Sequence, residues 1–97
     1  MSEYEELIQF VGEISQGSEM KSYELLQYAE SLGHFVATFS KLVNGTNDSS
    51  ARTVYSSFLS AQKNLYKAAK ALLEAADAGY DWCEGRSPQL QLKKVRR

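Results

Sequence analysis

LLQYAESLGHFVATFSKL, residues 25–42, carries apolar side chains at Leu25, Tyr28, Leu32, Phe35, Phe39 and Leu42, in steps of three and four. Steps of that kind average about 3.5 residues, the spacing of a helix packed lengthwise on another helix. Working toward the N-terminus, the same phase continues through Ile14, Val11, Leu7 and Tyr4. Toward the C-terminus it resumes, after one polar stretch, as Ala51, Tyr55, Phe58, Leu65, Ala69, Leu72 and Ala76, with Gln62 at the one polar step. The reading is an all-α fold, an antiparallel two-helix hairpin.

The hairpin is expected to fill residues 1–85, with one helix over about 3–43, a turn at 44–50 and a second helix over about 51–82. Ser2 and Glu5 have the form of a capping box, and Glu3, Glu5 and Glu6 face the positive end of the helix dipole. Gly12 and Gln16-Gly17-Ser18 weaken the first helix, so a soft or kinked segment is expected over 16–21. The phase nevertheless survives from Ile14 to Leu25, which a loop would have no reason to preserve. In the turn, Val43-Asn44-Gly45 closes the first helix, with Gly45 suited to a left-handed residue, and Asp48, Ser49 or Ser50 opens the second. Gly79 falls on the next step after Ala76, so the second helix is expected to loosen between Gly79 and Gly85.

Ninety-seven residues make one domain with a small core. Residues 1–85 hold all twelve acidic residues and six basic ones, while residues 86–97 hold five basic residues and no acid. The acidic body argues against nucleic acid as a ligand, and the tail is expected to be basic and flexible. No apolar run approaches the roughly 20 residues that cross a bilayer, and the acidic start MSEYEEL lacks the form of a secretory signal peptide. The expected location is therefore cytoplasmic, or outside the cell by a signal-peptide-independent route.

Enzyme signals are absent. There is no phosphate-binding glycine loop and no Cys or His spacing for zinc. His34 and Cys83, single in the chain, fall far apart in a hairpin, and His34 is expected to be a partly buried structural residue. No cofactor, metal or small-molecule substrate is expected. Two helices of about 40 residues, each near 60 Å at 1.5 Å per residue, make a poor globule. Phe10, Leu26, Val36, Val54, Tyr66 and Leu73 are left beside or off the seam. A second hairpin completing a four-helix bundle is the expected remedy, with the seam residues from Leu25 to Leu72 as its interface.

Three features resemble one known family. The turn Val43-Asn44-Gly45 sits near the middle of a hairpin of about 90 residues; Ala51, Tyr55 and Phe58 follow it; and Tyr80-Asp81-Trp82-Cys83-Glu84 closes the second helix. This plan resembles the WXG (early-secreted-antigen-like) family of small type VII secretion substrates, in which a Trp-x-Gly forms the turn and a Tyr-x-x-x-Asp/Glu forms an export motif. Val43 stands here in place of the turn tryptophan. The resemblance implies a non-enzymatic, secreted protein that dimerises with itself or a similar hairpin. It also implies an export-like motif at Tyr80 and Glu84, offered to a larger effector or a secretion ATPase. The competing expectation is a cytoplasmic helical adaptor or regulator that works through its basic C-terminal tail.

Overall fold

The computed structural model describes residues 2–86, so the basic tail expected over 86–97 lies, Arg86 apart, outside the described residues. Two helices, α1 (Glu3–Asn44) and α2 (Ser49–Glu84), form an antiparallel hairpin. The capping box forms: Ser2 Oγ accepts from the Glu5 amide at 3.1 Å, and the Ser2 amide donates to Glu5 Oε1 at 3.4 Å. α1 then runs unbroken through residues 16–21, where a soft segment was expected. Its one residue there without a side chain, Gly17, is exposed and meets nothing within 4 Å. The intrahelical hydrogen bonds outweigh the cost of about 1 kcal/mol for one glycine.

The turn is tighter than the sequence implied, and the first helix closes by different chemistry. Among the described residues no glycine has positive φ, so Gly45 does not end α1 in the left-handed conformation. The helix closes instead by short-range bonds, the Gly45 amide to the Leu42 carbonyl at 3.3 Å and the Thr46 amide to the Val43 carbonyl at 3.1 Å. Asp48 then caps α2: its Oδ1 accepts from the Ser50 amide at 2.9 Å and the Ala51 amide at 3.4 Å. Arg52 reaches back to donate to the Thr46 carbonyl at 3.2 Å.

Packing divides the described residues into an end unit, residues 2–22 with 70–86, and a turn unit, residues 23–69. In both, the buried row on α1 lies one residue away from the row read in the sequence. Ile8, Ser15 and Ser22 in the end unit, and Ala29, Val36 and Val43 in the turn unit, are buried at intervals of seven. On α2 the matching positions are Ala69 in the turn unit and Ala76 and Cys83 in the end unit. The positions expected at the seam beside them are exposed: Leu7 and Ile14, and Tyr28, Phe35 and Leu42. Leu25, Leu32, Phe39, Tyr55, Leu65 and Leu72 are half-buried and flank the true seam. The physical reason is size. Small side chains let two helix backbones approach, and large ones are displaced to the edges of the contact.

At Gly79 the two helices of the end unit are in close contact. A Cβ built there would overlap Ser15 Oγ and come within 3.0 Å of Ser15 Cβ. Ser15 turns its own hydroxyl to the Val11 carbonyl at 2.7 Å, and buried Ser22 donates to the Glu19 carbonyl at 2.6 Å, so neither hydroxyl is left unsatisfied. The sequence marked Gly79 as the point where the hairpin loosens, whereas α2 continues through it to Glu84. Gly79→Ala should therefore cost about 1–3 kcal/mol by overpacking, while Gly17→Ala should gain up to about 1 kcal/mol. Urea unfolding of the two variants beside the parent checks both signs.

Candidate functional site

In the turn unit, Gln62 occupies the one polar step of the α2 pattern for a definite reason. Its Nε2 crosses to donate to the Ala29 carbonyl at 3.2 Å, and a Cβ at Gly33 would press on that nitrogen at 2.6 Å. The absence of a side chain at Gly33 leaves room for the amide. Neither the glycine nor the glutamine stood out in the sequence as a packing pair, because the pattern there was read for apolar residues alone.

One side of the turn unit is apolar. Tyr28, Phe35 and Leu42 stand along α1 with exposures of 62%, 52% and 69%, and Val54 and Phe58 stand along α2 with 43% and 37%. Phe35 and Phe58 tie the two helices together on this side, their ring centroids 5.4 Å apart, and Phe39 stacks on Tyr55 at 6.3 Å with planes 7° apart. Tyr28, Leu32, Phe58, Ala61, Asn64 and Leu65 line an open groove of about 460 Å³. Uncharged side chains make up this lining. A wider hollow of about 610 Å³ runs over the outer surface of α2, lined by Arg52, Thr53, Ser56, Ser57, Ser60, Ala61 and Asn64. It offers hydroxyls without a carboxylate or imidazole to activate them.

The export-like pair falls in the end unit and is placed unequally. Tyr80 is 1% exposed, and its hydroxyl donates to Glu19 Oε1 at 3.0 Å. Glu84 is half-buried and is the last residue of α2. Between them Cys83 is fully buried, with its thiol on the Ile8 carbonyl at 3.4 Å. Burial pushes the Cys83 thiol above its ordinary value, and the Arg86 charge pulls weakly the other way. Arg86 closes the helix end: its guanidinium lies 4.4 Å from the Trp82 ring centre, its Nε donates to the Tyr4 hydroxyl at 2.8 Å, and its Nη1 donates to the Trp82 carbonyl at 2.6 Å. Tyr4 meets Trp82 edge-on at 6.3 Å.

Of the turn residues, Val43 is buried as part of the seam, whereas Asn44 and Gly45 are exposed. His34 is exposed, where a partly buried position was expected, because the seam runs along Val36 and Gly33 and turns residue 34 outward. Among the described residues, no three His, Cys, Asp or Glu side chains gather as a metal-holding group, and no helix is long and apolar enough to cross a membrane. Comparison of the chain with protein-family models, with curated proteins and with solved structures found no match.

Tyr80→Phe removes one hydrogen bond while keeping the ring, and should cost about 1 kcal/mol in urea unfolding. The Cys83 thiol adds a pH dependence of known sign. Its folded value lies above the unfolded one, so burial of the neutral thiol stabilises the fold fully below about pH 9. That contribution is lost as pH rises through the folded value. The stability difference between the parent and Cys83→Ser should be flat from pH 6 to 8 and shrink above pH 9, as read from unfolding midpoints at each pH.

Proposed function

We propose that this chain acts without catalysis, as an association module whose apolar turn-unit face packs on a second helical hairpin, its own copy or a similar small protein. One observation carries this reading. Tyr28, Phe35, Leu42 and Phe58 project on one side, each more than a third exposed, and contiguous exposed apolar surface marks an interaction site. Burying such side chains stabilises a complex by about 25 cal/mol per Å². Their uncharged surroundings keep the desolvation cost of burial low.

In cellular terms the reading is a type VII secretion substrate, or the targeting partner of a larger secreted effector, leaving the cell by a signal-peptide-independent route. The hairpin plan, with its turn at residues 45–48 and Tyr80 and Glu84 at the close of α2, supports it. A secretion ATPase reading that helix end would meet exposed Asp81 and the half-buried Trp82 and Glu84 first. It would reach the Tyr80 ring only by opening the bond to Glu19.

Culture fractionation and co-purification of the tagged chain test the two parts separately. Phe35→Glu should stay helical by circular dichroism and lose its partner. Glu84→Ala and Tyr80→Ala should keep the partner and accumulate inside the cell. If the parent and all variants remain intracellular, the export part is wrong. If the parent is monomeric at high concentration and recovers no helical partner from its own cells, the association reading is wrong.

A further inference from the structure

The chain holds three asparagines, Asn44, Asn47 and Asn64, and all three are exposed. Asparagine is a chemically labile residue. Its side-chain amide is lost when the backbone nitrogen of the next residue attacks its side-chain carbonyl carbon, so the next residue decides how readily the reaction runs. Asn64 lies inside α2 and is followed by half-buried Leu65. Helical hydrogen bonds fix the backbone there on both sides, and the leucine side chain crowds the attacking nitrogen. Asn47 is followed by Asp48, whose amide is already engaged, donating to Thr46 Oγ1 at 3.1 Å. The Asp48 carboxylate is held as well, by the Ser50 and Ala51 amides. Asn44 has none of this protection. It is the last residue of α1, and among the described residues no hydrogen bond holds its side-chain amide. Gly45 follows it with no side chain to crowd the nitrogen, and the Gly45 amide makes only the 3.3 Å bond to the Leu42 carbonyl. Turning the Asn44 backbone into line for attack opens that bond and the neighbouring one from Thr46 to Val43. Helix ends open in this way far more readily than helix interiors.

We infer that Asn44-Gly45 is a self-modification site, at which the folded chain converts its own asparagine to an acid. The Gly45 nitrogen gives up its proton and bonds to Asn44 Cγ. The bond from Cγ to Nδ2 breaks, and the nitrogen leaves as ammonia with that proton, so that a cyclic succinimide closes. Water then opens the ring. Attack at the main-chain carbonyl gives isoaspartate, and attack at Cγ gives aspartate; the net change is one amide and one water to one carboxylate and one ammonium. The new carboxylate lies at the C-terminal end of α1, where the helix dipole disfavours negative charge. In the isoaspartyl form the main chain also gains a methylene between buried Val43 and the short turn before α2. The turn unit thus carries an irreversible charge change that requires no enzyme and does not depend on what the hairpin associates with.

Peptide mapping by mass spectrometry tests the assignment on the purified full chain, aged without denaturant in warm, mildly alkaline buffer. Acid should accumulate at residue 44, largely as isoaspartate, with ammonia released in step, while Asn47 and Asn64 keep their amides. Gly45→Ala is the structural control. A Cβ there meets nothing nearer than the Leu42 carbonyl oxygen at 3.7 Å, and the position is not left-handed. The variant should therefore keep the circular dichroism of the parent and lose the Asn44 amide at least about tenfold more slowly, a barrier higher by about 1.4 kcal/mol. Asn44→Gln keeps an exposed amide on a longer side chain that closes a larger ring, and should stay unmodified at residue 44 whether or not Gly45→Ala folds. Amide loss first at Asn47 or Asn64, or loss as fast in either variant as in the parent, overturns the assignment. Retention of Asn44 by the folded parent overturns it too, and loss in urea alone would show that the turn protects the pair.

Discussion

The close approach of two helix backbones at small side chains is the constraint on which the rest of this molecule depends. In the end unit Gly79 sits directly on Ser15, with buried Ala76 one turn before it. In the turn unit Ala29 offers its carbonyl to Gln62 in the space that Gly33 leaves open. Burying these groups yields little hydrophobic free energy per residue, because they carry few methylene groups. What they permit is dense packing along a long contact, with flanking Leu25, Leu32, Leu65 and Leu72 covering its edges.

That choice has a consequence for the surface. Where alanine, serine and glycine bring the two backbones together, there is no room for the larger apolar residues beside them. Leu7 and Ile14 in the end unit, and Tyr28, Phe35 and Leu42 in the turn unit, therefore stand outside the contact, each about half exposed or more. In the turn unit the same economy at the centre thus creates an apolar flank at the side. A monomer that kept its rings inside would need a wider helix separation, and Gly79, Gly33 and the seam alanines would then line a void.

The architecture was legible in the sequence because helical periodicity and capping chemistry are local. The capping box of Ser2 with Glu5 and the Asp48 cap both formed from the residues that signalled them. The phase of the seam was not legible in the same way. Reading it from the bulkiest side chains placed it on Tyr28 and Phe35, one residue from the true row of Ala29 and Val36. Serine and alanine give a weak periodic signal even when fully buried, as at Ser22 and Ala76. Gly79 was misread for a related reason, since a glycine required by close contact and a glycine that weakens a helix look alike in one sequence. The burial of Tyr80 and its bond to Glu19, 61 residues away, is a tertiary fact with no local trace.

The most direct measurement compares substitutions on the two neighbouring rows of α1 in the dilute chain, by urea unfolding followed by circular dichroism. With the seam at Ala29, Tyr28→Gln and Leu42→Gln should each change stability by no more than about 0.5 kcal/mol. Ala29→Leu should lose about 1–3 kcal/mol by overpacking. The opposite ranking, a loss of several kcal/mol at Tyr28 and Leu42 with Ala29→Leu neutral, would contradict a small-residue seam and the exposed apolar flank that follows from it.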